Sequence, residues 1–443
     1  MNIVASLISF LFFAIIIKYT PFFKNINISY KALMAAFTIK CLASFVFIFI
    51  YNYYYDKETA DIYKYFNDGM VMARSISDNP LDYLRMLTGI DADAPHLSKY
   101  YSQMSSWFRP WEEPVYNDNR IVVRFNALIG IISGGYIGVH NIAANFLVFT
   151  GLIALYKFSL NKISKNKSAL IFWGIFLFPS VLFWGSGILK ESILLFAIGW
   201  FLLFTYKLKN KQFSAANMIN VLFALFILVL LKAYIIFLLI PVLITFYLLE
   251  NKNKYKAYII PGYVVVFTVW TGFFIGLGFL FPDYNLMEII ANKQNSFVLF
   301  SQSVEAGSII THRLMEPNIG SFLSFVPSGF WNTLTRPHIF DSTSPLIIFA
   351  ALENILIWTM LILMLVFFNK DKILSPFFWF CISFVIITFA FVGMVTPLYG
   401  AIVRYKIPAL PFLWIAFIYI LDYNKIEKAK KLILNKLGYK QNY

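Results

Sequence analysis

The sequence predicts an all-α polytopic membrane protein with about eleven transmembrane helices and two long outward-facing loops containing interfacial helices. Three observations carry this expectation. Apolar stretches of ~20 residues, enough to cross a hydrocarbon core at ~1.5 Å per residue, recur too often for a soluble chain. Of the 443 residues, 60% are hydrophobic and 13% charged, and mean hydropathy is +0.70; soluble domains carry roughly 25% charged residues. The acidic residues gather in two polar interruptions, 52–138 and 282–345.

Residues 3–19 read as the first span, because they lack the basic start and small-residue cleavage site of a signal peptide. Further spans are expected near 32–52, 139–157, 168–186, 188–206, 215–231, 233–249, 258–280, 346–368, 376–396 and 401–421, all within one membrane domain, 1–443. The short loops are basic: Lys157, Lys162, Lys165 and Lys167 in one, Lys207, Lys209 and Lys211 in the next, Lys252, Lys254 and Lys256 in a third. Retention of cations on the cytoplasmic side puts these loops inside, together with the first turn and the lysine-rich tail, 422–443. The long segments then face outward, and the net charge of +15 reads as this bias rather than a nucleic-acid footprint. The implied location is a bacterial inner membrane with a cytoplasmic C-terminus. Residues 121–135 are apolar but punctuated by Arg124 and Asn126 and ended by Ser133, Gly134 and Gly135; an amphipathic interfacial helix fits them better than a span. Tyr51, Tyr53, Tyr54, Tyr55, Trp107, Phe108 and Trp111 give the first outer loop the aromatic density of a headgroup-level roof.

Cys41 and Cys381 lie in apolar spans, and His96, His140, His312 and His338 form no close ligand pair, so no metal site is assigned. Asp91 and Asp93 leave a divalent cation open, although a solvated acidic turn is the simpler account. No phosphate-binding glycine loop is present, which directs attention to lipid-linked rather than nucleotide-linked donors.

Four segments carry candidate chemistry. In the first, Asp61, Tyr65, Phe66 and Asp68 follow the second span; a carboxylate at the mouth of a low-dielectric cavity can take a proton from a hydroxyl, while the plainer role for Asp61 is a helix cap. The second runs from Phe178 through Pro179, Trp184 and Ser186 to Lys190 and Glu191, ionisable groups that cost roughly 2.5–3.5 kcal/mol at membrane depth. A helix starting at Ser186 would set Ser186 and Lys190 on one face and Glu191 about 100° away; Lys190 could then meet a lipid phosphate, or both could snorkel. In the third, Arg336 precedes Pro337 and His338, with Asp341 beyond, and its guanidinium fork suits phosphate oxygens. The fourth holds Arg404, Tyr405, Lys406 and Pro408 at the start of the last span. Lys232 and Tyr234 repeat the basic-aromatic pattern between the sixth and seventh spans.

Together these segments resemble the GT-C class of integral membrane glycosyltransferases, and are similar to uncharacterised membrane proteins of surface-polysaccharide synthesis. The resemblance rests on the acidic motif Asp61–Asp68, the Pro-Ser-x-x-x-Trp-x-Ser-Gly-x-x-Lys-Glu segment at 179–191, and Arg404-Tyr-x-x-Pro408. It implies a polyprenyl-phosphate-linked sugar donor and a glycan or lipid-linked acceptor. On that reading Asp61 or Asp68 is the catalytic carboxylate, and Lys190, Arg336 and Arg404 bind phosphate. Tyr65, Ser186, Glu191, His338 and Lys406 play supporting roles. A polysaccharide polymerase or a lipid-linked saccharide flippase would use related ingredients; the latter calls for charges near the centres of several spans.

Overall fold

The computed structural model describes all residues except 1, 25, 54–56, 58–59, 109–115, 251–256, 304–308, 311–312, 342–343 and 437–443. Tyr54, Tyr55, Trp111, Lys252, Lys254, Lys256 and His312 therefore lie outside the described residues. The described residues are overwhelmingly helical, with isolated bridges but no strand. They form two compact units, Met1–Ile236 and Phe237–Tyr443.

The first unit begins with α1 (Ile3–Tyr19) and α2 (Tyr30–Tyr53). On α2 the buried residues Leu33, Ala36, Phe37, Lys40, Ser44, Phe47 and Tyr51 recur at three- and four-residue steps, giving one inward stripe with a lysine in it. Short helices follow: α3 (Asp61–Asp78), α4 (Pro80–Thr88), α5 (Ser98–Tyr101) and α6 (Asn119–Gly130). The helix expected at 121–135 is thus a 12-residue element, which at ~1.5 Å per residue reaches only ~18 Å and cannot cross a bilayer. It packs on α3, where Gly69 lets the Asn126 side chain approach.

Next come α7 (Ile137–Leu160), α8 (Ser168–Leu177), α9 (Pro179–Trp184) and α10 (Lys190–Lys209). α7 and α10 form the tightest pair: Gly151 and Gly199 meet backbone to backbone, so a Cβ at either would strike the other helix. α11 (Ala215–Leu249) runs from the first unit into the second and is broken at Lys232, whose φ of −150° and ψ of 79° are non-helical.

The second unit continues with α12 (Ile259–Leu280), α13 (Leu286–Ser303), α14 (Ile319–Thr335), α15 (Pro345–Val366), α16 (Lys370–Ile373), α17 (Pro376–Val395), α18 (Tyr399–Tyr405), α19 (Leu410–Ile420) and α20 (Tyr423–Lys436). α14, expected in the second outer loop, packs along α17 where Gly329 and Gly393 bring the backbones together. Two small residues thereby turn a loop helix into a partner of an apolar helix.

Among the described residues, eight helices are long and apolar enough to cross a membrane. The three remaining expected spans differ for local reasons. α1 is a 17-residue helix. Pro179 divides 168–186 into α8 and α9, since it cannot donate to the preceding turn. The spans expected at 215–231 and 233–249 form one helical run interrupted only at Lys232.

Candidate functional site

In the first unit the site is built around an interruption. α9 ends at Trp184, Leu189 is extended (φ −126°, ψ 163°), and α10 begins only at Lys190. Ser186 and Lys190 are therefore not on one helix, which corrects the expectation of a shared face. Gly185, Ser186 and Gly187 break the run; a side chain at Gly187 would meet the Phe47 ring.

Lys190 reaches the first loop instead. Its ammonium lies 2.7 Å from the Asp118 carboxylate, with 11% of the lysine side chain and 20% of the aspartate exposed. Asp118 precedes α6, while Tyr65 of α3 donates its hydroxyl to Asn119 Oδ1 at 2.9 Å and places its ring 6.0 Å from the ammonium. Lys190, Tyr65, Asp118 and Asn119 thus converge from three segments. Asp61 is the first residue of α3, four residues before Tyr65 and on the same side of the helix. Glu191 turns elsewhere, as the 100° step requires, and sits 3.7 Å from Lys232 at the α11 kink; their side chains are 1% and 8% exposed. Each ion of the Lys190-Glu191 pair therefore has its own counter-charge, which offsets the cost of burial.

Asp68 has a different position. Its Oδ1 accepts from the Ser105 amide at 2.9 Å and the Ser105 hydroxyl, and its Oδ2 accepts from the Ser106 amide at 2.8 Å and the Ser106 hydroxyl. Both oxygens are spent on pinning a loop that Asn117 secures from the other side through the Ser106 and Trp107 carbonyls. That loop buries Trp107 completely: Tyr101 stacks on it at 5.0 Å, and the Arg120 and Arg124 guanidiniums lie 4.8 and 5.4 Å from its ring. Trp107 is thus a core residue of the loop rather than a headgroup anchor, because two cations and a tyrosine cover it. Asp91 pairs with Arg85 at 3.3 Å. Among the described residues, no three of His, Cys, Asp and Glu gather in a metal-binding arrangement.

The second unit has its own polar cluster. Arg336, just past α14, donates from Nη1 to Asp341 at 3.0 Å and to the Tyr399 hydroxyl at 2.6 Å. The other Asp341 oxygen takes the His338 backbone N–H at 2.7 Å, while the imidazole of His338 is exposed, so this histidine joins the cluster through its main chain. Asn354 of α15 donates to the Pro337 carbonyl at 2.9 Å and accepts from Lys406 at 2.6 Å. Lys406 and Glu353 are 3.8 Å apart with side chains 0% and 1% exposed. Arg336 and Lys406 are in this way joined through Pro337 and Asn354, and Arg404 lies half-buried in the last turn of α18.

Sequence reasoning missed Lys40, Asp118, Glu353, Asn354 and Tyr399. Glu353 carried a usable signal, as the only charged residue in 345–366. Lys40 carried the same signal in 32–52. Asp118 had none, since its partner is 72 positions away. No protein-family model, curated protein or solved structure matches the chain.

Proposed function

We propose that the protein is a GT-C-like integral membrane glycosyltransferase, moving a sugar from a polyprenyl-phosphate-linked donor to a glycan or lipid-linked acceptor on the outer face of a bacterial inner membrane. The observation that carries this reading is the convergence of Lys190, Asp118 and Tyr65 at the start of an apolar helix, beside the carboxylate-bearing first turn of α3. Transfer from a lipid phosphate needs a cation for the departing phosphate and a carboxylate for the acceptor, next to an apolar phase that holds the polyprenyl chain.

The acceptor hydroxyl oxygen attacks the anomeric carbon, the bond from that carbon to the phosphate oxygen breaks, and the electron pair leaves with the phosphate. Lys190 stabilises the departing charge, with Asp118 holding the ammonium in place. Asp61 takes the hydroxyl proton. Asp68, with both oxygens committed to Ser105 and Ser106, shapes the loop instead. In the second unit, Arg336 offers phosphate-binding chemistry from a guanidinium already oriented by Tyr399 and Asp341.

The test is the profile of lipid-linked saccharides in cells lacking the protein, complemented with wild type or Asp61→Asn. An acceptor one sugar short should accumulate and stay unrescued by Asp61→Asn, because a general base contributes on the order of 100- to 10,000-fold. Accumulation of complete repeat units would replace this reading with a polymerase or flippase, according to the membrane face on which they collect.

A further inference from the structure

Among the buried cations that the proposed reaction does not use, Lys40 has specific surroundings. Lys40 of α2 is 0% exposed, and its ammonium donates to the Gly185 carbonyl and the Ser186 hydroxyl, each at 3.0 Å. Both partners belong to the interruption that separates α9 from α10. An interrupted helix at membrane depth frees carbonyls that water does not reach, so each needs a protein donor. Here three consecutive carbonyls receive one: Gly185 from Lys40, Ser186 from Asn145 Nδ2 of α7 at 3.0 Å, and Gly187 from Ser192 Oγ of α10 at 2.7 Å.

We propose that Lys40 is a positioning residue, whose ammonium clamps the interruption and so sets the first turn of α10, where Lys190 and Glu191 sit. The significance of that turn rests on the reading of Lys190 as a phosphate-binding cation. Asn145 and Ser192 satisfy their carbonyls with neutral groups, so carbonyl satisfaction alone does not call for a charge. An ammonium gives a stronger, charge-assisted bond and grips two groups at once. Phe47, about two turns further along α2, packs against Gly187 and the Phe183 and Trp184 rings, so α2 holds the same interruption by shape as well. The alternative for a lysine beside a serine, a base activating a nucleophile, does not suit this pair. Ser186 Oγ donates to the Leu182 carbonyl, and Lys40 and Ser186 are both 0% exposed.

The experiment uses the full-length protein in lipid nanodiscs as wild type, Lys40→Met, Lys40→Arg and Ser186→Ala. Hydrogen exchange is read across 185–192, with α14 and α17 as the control, and binding of undecaprenyl phosphate is titrated in parallel. Lys40→Met should speed exchange at 185–192 by ~10- to 100-fold, as the loss of a buried charge-assisted bond implies. The control should stay unchanged and undecaprenyl phosphate binding should weaken. Lys40→Arg should recover part of both, and Ser186→Ala, which keeps the Gly185 bond, should fall between. Unchanged exchange at 185–192 in Lys40→Met overturns the proposal, as does a rise spread evenly over the first unit. Should Lys40→Met fail to fold, Ser186→Ala decides by the same criterion. A wild type that binds no undecaprenyl phosphate removes the role assigned to Lys190, while the exchange pattern still decides whether Lys40 holds the interruption.

Discussion

Replacing Lys406 by methionine is the sharpest test of the second unit, because it removes a charge while keeping most of the side-chain volume. Lys406 and Glu353 lie 3.8 Å apart, and both are essentially inaccessible. At an effective dielectric near 20, their attraction is about 4 kcal/mol. Burying two ions consumes much of that gain, so the pair itself adds little net stability. Removing one member is different: Glu353 keeps its desolvation cost and loses its counter-ion, which costs about 3–5 kcal/mol. Asn354 also loses the donor to its Oδ1 at 2.6 Å. Lys406→Met should therefore lower the melting temperature in nanodiscs by on the order of 10 °C, from the usual 2–4 °C per kcal/mol for units of this size. Lys406→Met combined with Glu353→Leu should recover most of the loss, since no orphan charge remains. A single variant that melts with wild type, or a double variant that melts as low as the single, would refute the electrostatic argument.

Three further outcomes follow from geometry elsewhere. Asp68→Asn should loosen residues 104–107 by about 2 kcal/mol, through loss of charge-assisted bonds from Ser105 and Ser106; limited proteolysis would detect it, and a loop as resistant as wild type would deny Asp68 its pinning role. Gly393→Val should separate α14 from α17 and cost at least about 3 kcal/mol, read as lost monodispersity on purification, because the new side chain meets the Gly329 backbone. Burial alone would raise the Asp82 carboxyl, but the His96 hydrogen bond at 3.0 Å and the charges of His96, Lys99 and Arg85 together hold it below its ordinary value. The folded value is the depressed one, so this stabilisation is complete above the ordinary carboxylate range and is lost as pH falls through the folded value. Relative to the intrinsic exchange rate at each pH, protection across 80–101 should fall on acidification from about pH 6 to about pH 3, and Asp82→Asn should flatten that dependence.

The helical class and most apolar elements were legible because hydropathy sums over a window and needs no knowledge of partners. The same averaging hid Lys40, one cation diluted among the apolar residues of 32–52. Lys190 and Glu191 stood out as adjacent charges in an apolar run, but not their partners: Asp118 and Lys232 are 72 and 41 positions away, and pairing over such separations is set by packing. The span expected near 188–206 starts at Lys190, and a helix start at Ser186 does not occur, because Gly185 and Gly187 permit an interruption as readily as they permit a helix. Trp107 was read as an interfacial ring because its composition fits one; its burial depends on Arg120, Arg124 and Tyr101 closing over it.

Lys40, Lys232 and Lys406 share a local context. Lys40 clamps the interruption between α9 and α10, Lys232 is itself the non-helical residue of α11, and Lys406 follows the end of α18, where the chain tightens before α19. Each has a polar partner from a distant part of the chain: Ser186, Glu191 and Asn354 respectively. By contrast, the closest helix pairs, α7 with α10 and α14 with α17, approach through glycines. Helix association in an apolar phase needs only small residues and dispersion, so the lysines are not required to assemble the bundle. Their cost is explained if the interruptions themselves are needed, since a broken helix exposes backbone dipoles and first-turn side chains that an unbroken one conceals. Lys40 grips the chain at one such break, Lys232 and Lys406 stand at two others, and Lys190 and Glu191 stand on the first turn after the break that Lys40 grips.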